Sequence, residues 1–473
     1  MLYHRFLRFS CGDFKVVCLL FALLLGGTLL APNRCSAEES KSTPLNVVLL
    51  LADDLRWDAL GFAGNPVVQT PHLDAIARDG VAFSNAFCTT SICATSRASI
   101  LTGQYARRHG AWRFDTNLTP AAFAETFPGM LRKAGYRTGF VGKWGVGNEM
   151  PKEQFDYWAG FPGQGRYFAA NDKERKNHLH ERISSQAAEF LGGCEADQPF
   201  CLQVSFKTPH AQDGERQEYP AEARYDDLYA EVEMPRPPAA TEKHFSQLPE
   251  FLQMSEGRRR WQPRFSTPAL FQQRVKDYYR LVTGMDRVVG EIVADLRKRG
   301  MLERTLIVFT SDNGYFLGDY GLADKWFMQD PSIRLPLVVF DPRLPPEQRG
   351  RKVEQLALNI DVAPTLLSAA GLNPPEAMQG RSLLPLVRGE MPNWREEFFY
   401  EHLFEHAGIP KTEGVRGQRW KYVRYLVEPQ PVEQLFDLKN DPLEEHNLAA
   451  DPQHAKTLAV YRQRWEEMRG AVQ

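Results

Sequence analysis

Three clusters in the chain carry side chains that can do chemistry, and they lie far apart in sequence. Asp53-Asp54 closes one apolar run and Asp312-Asn313 closes another. Cys93 stands in Thr90-Ser91-Ile92-Cys93-Ala94-Thr95-Ser96-Arg97-Ala98-Ser99-Ile100-Leu101-Thr102-Gly103-Gln104. Asp53, Asp54, Asp312 and Asn313 offer oxygen ligands only, a set that suits Ca²⁺, with Mg²⁺ the alternative, and argues against Zn²⁺. Asp-Asp and Asp-Asn-Gly are also good turn formers that need no ion, and an isolated cysteine is most often a small buried thiol. The combination is what favours chemistry. Helix character after Cys93 puts that residue near a helix N-terminus, where free N–H groups favour anions and lower a thiol pKa. Arg97, one turn along, adds a fixed positive charge and predicts an anionic substrate.

Lys143 in Gly142-Lys143-Trp144-Gly145 and Lys325 in Gly321-Leu322-Ala323-Asp324-Lys325 can add further charge. His210, in Thr208-Pro209-His210, follows a strand candidate, where a general acid can sit. Alone, a loop lysine reads as solvated surface and a lone histidine as structural. These three acquire roles only through the whole set.

The elements that must position these residues read as an α/β alternation. Leu45-Asn46-Val47-Val48-Leu49-Leu50-Leu51 is a continuous apolar run suited to a parallel strand buried on both faces. Leu306-Ile307-Val308-Phe309 repeats the arrangement. Further strands are predicted at 139–141, 200–206 and 335–340, and helices at 70–79, 126–134, 182–191, 272–299 and 361–369. Polar residues just past strand carboxyl ends are where open α/β sheets hold ligands. The predicted architecture is a large mixed, mostly parallel sheet flanked by helices, spanning 38–393. A smaller C-terminal α+β subdomain over 394–473 carries short antiparallel strands and a final helix at 453–469. Residues 212–268, rich in Pro, Glu, Arg and Gln, read as a long surface insertion over the active face.

The chain has 473 residues and a formal net charge of −2, so nothing in the bulk charge argues for nucleic acid. Arg5, Arg8 and Lys15 precede an apolar run over 16–30, and Ser36-Ala37 offers a cleavage point. Residues 1–37 therefore read as a secretory signal, the run being short for a stable membrane anchor. Export to the periplasm or the medium follows. The mature chain keeps Cys88, Cys93, Cys194 and Cys201, of which Cys194 and Cys201 could close a short loop.

The whole set resembles the sulfatase family, within the alkaline-phosphatase-like superfamily. The resemblance rests on Asp53-Asp54, the run from Cys93 to Gln104, Gly142-Lys143-Trp144, Pro209-His210, Ser311-Asp312-Asn313-Gly314 and Lys325. It extends to Leu435-Phe436-Asp437-Leu438, Asp441-Pro442 and Asn447-Leu448. It implies that a maturation enzyme oxidises Cys93 to formylglycine, whose hydrate carries two hydroxyls. One ion of Ca²⁺ would be held by Asp53, Asp54, Asp312, Asn313 and residue 93. One hydroxyl would attack sulfur, and the other would lose its proton as sulfate departs. Arg97 would steady the diol, Lys143 and Lys325 would bind sulfate oxygens, and His210 would serve the leaving alcohol. The implied activity is hydrolysis of a sulfate ester, on a sulfated carbohydrate.

Three departures stand out. Thr95 replaces the usual proline of Cys-x-Pro-Ser-Arg, and Gln104 replaces the arginine that commonly ends Leu-Thr-Gly-Arg. Gly145 stands where many sulfatases carry a histidine that accepts the second hydroxyl's proton, leaving His109 and His210 as candidates. Alternative readings are a non-catalytic binder of sulfated glycans, a phosphomonoester or phosphodiester hydrolase, and a zinc protease. The last rests on His402-Leu403-Phe404-Glu405-His406, which fits an inverted His-x-x-Glu-His pattern but adjoins a strand rather than a helix. Arg258-Arg259-Arg260-Trp261 could line an anionic saccharide channel or form a solvated face.

Overall fold

All eight residues of the first strand, β1 (Asn46–Asp53), are buried. Val47, Leu49 and Leu51 feed one apolar core, and Val48, Leu50 and Ala52 feed another. Successive side chains of a strand point to opposite faces, so an unbroken apolar run requires cover on both. The computed structural model describes residues 44–172 and 174–473; the predicted signal over 1–37 lies outside the described residues.

The main sheet has seven further strands: β2 (Val81–Phe83), β3 (Arg137–Lys143), β4 (Tyr157–Phe161), β5 (Phe200–Pro209), β6 (Thr305–Ser311), β7 (Leu337–Phe340) and β8 (Arg351–Val353). Their spatial order is β8-β2-β7-β6-β1-β5-β3-β4. β1 lies between β5 and β6, parallel to both, with Leu49 opposite Gln203 and Val308. β7 alone among these strands runs against its neighbours. The mixed, mostly parallel sheet read from the sequence is the one observed. Three strands escaped that reading: β2, β4 and β8 are three to five residues long, too short for a period-two pattern to stand out.

Helices cover both faces. On one side lie α1 (Pro71–Asp79), α3 (Leu179–Gly192) and α5 (Pro268–Lys298), and on the other α2 (Cys93–Thr102) and α6 (Val362–Ala369). In α5, Val275, Tyr278, Val282, Met285, Val289, Ile292 and Leu296 recur at helical spacing and are buried. Its start is set by Thr267, whose hydroxyl accepts from the Leu270 N–H, followed by Pro268. The C-terminal sheet is an antiparallel meander of β9 (Glu397–His402), β10 (Thr412–Gly417), β11 (Trp420–Tyr425) and β12 (Val432–Asp437). One of its faces packs Val415, Tyr422 and Leu435 against Leu458 and Tyr461 of α7 (Ala455–Ala471). Its other face joins the main core through Phe398, Tyr400, Val423 and Phe436. No helix among the described residues is long and apolar enough to cross a membrane.

Two expectations are corrected. Cys194 and Cys201 are free thiols. Cys201 packs into the core on one face of the sheet and Cys194 against the core on the other, so the two sulfurs lie apart. The segment 212–268 is not a surface excursion throughout. It contains α4 (Glu256–Phe265) and buries Glu218, Glu222, His244 and Arg264. It buries ion-paired charge beside apolar residues such as Tyr219, Met234, Leu252 and Phe265, which recur at no regular spacing, so no periodicity marks it.

β3 can carry Lys143 to the site only because Gly142 precedes it. Gly142 has φ 101°, and a Cβ there would lie 2.0 Å from the Ser205 carbonyl oxygen of β5. Gly142→Ala is expected to cost about 3 kcal/mol of stability, measured by urea unfolding. An unchanged midpoint would show that the two strands can part freely.

Candidate active site

Parallel strands deliver the predicted side chains to one edge. Asp53 ends β1, Lys143 ends β3, His210 follows β5 and Asp312-Asn313 follows β6. At this edge Asp54 turns into the left-handed region (φ 63°). The Asp312 N–H donates to the Ala52 carbonyl (3.1 Å), so the two carboxylate clusters meet although 258 positions separate Asp54 from Asp312. Cys93 is the first residue of α2, and its side chain is buried.

The set is tightly cross-linked. Arg97, 2 % exposed, donates from Nε to Asp312 Oδ2 (2.8 Å), from Nη1 to the Lys143 carbonyl (3.1 Å) and Ser205 Oγ, and from Nη2 to the Phe206 carbonyl (3.3 Å). Its Nη2 also lies 3.6 Å from Asp53 Oδ2. Lys143 Nζ pairs with Asp53 Oδ2, and Lys325 Nζ with both Asp54 oxygens at 2.6 and 2.7 Å. Lys325 sits between two left-handed residues, Asp324 (φ 71°) and Trp326 (φ 87°). Such backbone costs about 1–3 kcal/mol per residue and persists where surrounding structure enforces it. Here buried pairs do so, Asp324 accepting from Arg260 (2.9 Å) and Arg264 (2.6 Å). The arginine-rich stretch is thus largely neutralised in place: Arg259 pairs with Glu256, and Arg258 lies over the rings of Phe245 and Trp261.

Two oxygens are left over. Asp53 Oδ1 and Asn313 Oδ1 are buried with no hydrogen-bond partner among the described residues. The Asn313 amide is oriented by its own donors, Nδ2 giving to Asp54 Oδ1 (2.7 Å) and the Gly314 carbonyl (2.8 Å), which leaves Oδ1 free. Burying polar oxygens without a partner is costly, and a hard cation satisfies both. The charges agree. Burial pushes the Asp312 carboxyl up to about 7, helped by the Asp53 charge, and burial raises Asp54 to about 6 against the pull of Lys325. For Asp53 burial acts in the same direction, but the Lys143 and Arg97 charges outweigh it and hold the carboxyl below the usual range. Asp312 and Asp54 stay raised even with Arg97 and Lys325 beside them, so the cluster of three buried carboxylates favours a further positive charge. Donor chemistry and electrostatics both fit such an ion.

His210 donates from Nδ1 to the Ala211 carbonyl (2.6 Å), since a carbonyl can only accept. Its Nε2 therefore faces Asp54 Oδ2 at 3.6 Å, and burial keeps the ring neutral, well below its usual pKa. Tyr167 OH donates to the His210 carbonyl (2.8 Å), and His180 contacts Thr208 Oγ1 (2.7 Å), so a second polar network buttresses this strand end. His178, His180 and Glu222 lie close enough together to hold an ion. Both His178 ring nitrogens are already engaged, with the His180 N–H and the Pro220 carbonyl.

Several polar residues of the site escaped the sequence reading. Ser96 donates to the Asp312 carbonyl (2.5 Å), Asn359 donates to Ser96 (2.9 Å), and Ser205 accepts from Arg97. Buried Lys207 donates to the Ala211 carbonyl (3.3 Å) and lies over the Tyr167 ring; burial lowers its pKa to about 8. Lys207 alone carries a signal, three positions before His210. Gln164 accepts from Lys143 (2.6 Å) and reaches Cys93. At Gly145 (φ 72°) a Cβ would lie 2.8 Å from Arg97 Cδ, so Arg97 fills that space. His109 cannot readily replace a base there, because Nδ1 accepts from the Ala111 N–H (3.0 Å) and Nε2 contacts Ser99 Oγ (3.0 Å). The His402-to-His406 pattern makes no metal cluster: His402 is buried at the end of β9, and Glu405 is exposed beyond it.

Hydrolases of the alkaline-phosphatase-like class are built in this way, with acids, cations and a nucleophile gathered at the carboxyl edge of a mixed sheet. Within that class the chain belongs to the sulfatase family: the Sulfatase model matches residues 45–372. A model described as N-sulphoglucosamine sulphohydrolase, C-terminal, matches residues 318–471. The chain is a sulfuric ester hydrolase. An N-acetylglucosamine-6-O-sulfatase of Bacteroides thetaiotaomicron is 29 % identical, over 94 % of this chain and 90 % of that protein. An ulvan-active sulfatase of Formosa agariphila is 28 % identical, over 91 % and 83 %. Among solved structures, one bound to its substrate D-glucosamine-2-N,6-O-disulfate shares the fold, with TM-score 0.75 and 23 % identity over 91 % of this chain and 98 % of that one.

Proposed function

We propose that the protein hydrolyses sulfate esters of a sulfated carbohydrate, using Ca²⁺ held by Asp53, Asp54, Asp312 and Asn313 and a formylglycine made from Cys93. The observation that carries this reading is the pair of buried, unpartnered oxygens, Asp53 Oδ1 and Asn313 Oδ1, in an all-oxygen set beside residue 93. The carbohydrate part draws support from the two relatives named for N-acetylglucosamine and ulvan. A bound calcium ion supplies charge neutralisation and Lewis-acid polarisation, and the hydrated aldehyde supplies two hydroxyls in place of one thiol.

The chain's own residues do the rest. Arg97 holds a fixed positive charge beside residue 93 through its planar fork. Lys143 and Lys325 present ammonium donors to two sulfate oxygens, stabilising charge that spreads over the transferred group. His210, with Nδ1–H committed to Ala211, presents Nε2 toward the leaving oxygen. The neutral ring holds no proton there, so it would protonate the leaving alcohol only after taking up a proton on Nε2 as the imidazolium. The reading includes export through the segment 1–37 and conversion of Cys93 by a maturation enzyme despite Thr95.

Co-expression with a formylglycine-generating enzyme, mass analysis of the peptide bearing residue 93, and sulfate release from defined sulfated saccharides test it together. A converted protein that releases no sulfate from any of them, or that prefers aryl phosphate to aryl sulfate, overturns the reading. Stripping the ion with EGTA is expected to lower turnover by ~10²-fold or more, the equivalent of several kcal/mol of charge stabilisation. Ca²⁺ should restore the rate better than Mg²⁺, and a zinc-selective chelator should leave it unchanged.

A further inference from the structure

Gln164 belongs to an exposed loop after β4, yet its amide reaches the buried site. Its Oε1 accepts from Lys143 Nζ at 2.6 Å, and its Nε2 lies 3.9 Å from Cys93 Sγ. The orientation of this amide is not arbitrary. An ammonium group has donors only, so the amide oxygen must face Lys143 and the NH₂ must face residue 93. Cys93 is 2 % exposed, and Gln164, itself exposed, reaches it from a surface loop. Across the site, the Gly145 position offers no side chain, and Arg97 and Lys143 close over it.

We propose that Gln164 is a further catalytic residue: its NH₂ donates a hydrogen bond to the reacting atom at residue 93, orienting it and favouring its negative charge. This role rests on the sulfatase reading above. The competing account is that Gln164 merely satisfies Lys143. Two substitutions separate them. Gln164→Met keeps the length and removes both hydrogen bonds. Gln164→Glu still accepts from Lys143 but cannot donate, and it brings a negative charge beside the nucleophile. Gln164 belongs to neither apolar core, so both variants should fold, which urea unfolding checks.

With rates normalised to the aldehyde content of residue 93, measured by mass, both variants are expected to lose ~10²-fold in kcat, the scale of one lost transition-state donor, with KM within about threefold. Gln164→Glu at the wild-type rate beside an impaired Gln164→Met reduces Gln164 to a tether for Lys143 and overturns the proposal. Unchanged turnover in both, or an effect confined to KM, overturns it as well. These outcomes leave the sulfatase reading standing; a converted wild-type protein that releases no sulfate removes both.

Discussion

Cys93→Ala is expected to abolish sulfate release, by about 10⁵-fold or more, the scale of losing a catalytic nucleophile. The fold should survive. Residue 93 opens α2, alanine is the best helix former, and the volume lost is one sulfur. Lys143, Lys325 and His210 take their places from β3, from the Asp324–Trp326 segment and from the strand end after β5, none of which depends on the thiol. The variant should therefore still bind the sulfated saccharide, which calorimetry can measure beside the missing turnover. Cys93→Ser sharpens the test, since a hydroxyl is a nucleophile but carries no second oxygen on the same carbon. A single round of reaction without turnover fits the aldehyde-derived diol. Wild-type rates in either variant would mean that another group attacks sulfur.

Arg97→Met should be the second most damaging change, and it should strike stability and activity together. Arg97 is 2 % exposed and pairs with Asp312 and Asp53. Removing it leaves buried Asp312 without its paired cation, while Asp53 keeps Lys143, a loss of about 3–5 kcal/mol read in urea unfolding. Bound Ca²⁺ should recover part of this by favouring the folded state. Turnover should fall by ~10³-fold even where the variant is folded, because the charge beside residue 93 is gone. Arg97→Lys should rescue little: three faces of the guanidinium serve Asp312, the Lys143 carbonyl with Ser205, and the Phe206 carbonyl, which a point charge cannot span. Full stability in Arg97→Met would show that the acid cluster is protonated or screened by other means.

Much of the frame was legible from residue order. The apolar run before Asp53 and its counterpart before Asp312 are buried strands because nothing polar interrupts them, and they lie side by side in the sheet. The helices at 70–79, 126–134 and 361–369 were predicted to within a residue or two of Pro71–Asp79, Phe127–Lys133 and Val362–Ala369. Segments that bury charge were not legible. Arg264 is as buried as a core leucine, yet only its partners Glu218, Asp213 and Asp324, spread over more than a hundred positions, explain it. A period measured within one segment cannot register a pair formed between two.

The same division runs through the site. Sequence by itself determined which chemistry is available: an all-oxygen ligand set, a cysteine at a helix start, two lysines and a histidine in a recognisable order. Those are properties of residue type and local spacing. Tertiary structure alone decided which oxygens stay unpartnered, that Arg97 fills the space beside Gly145, and that Gln164 from an exposed loop reaches residue 93. Each of these depends on distances between strands and loops that are remote along the chain. Parallel strand pairing sets those distances, and no local pattern encodes them.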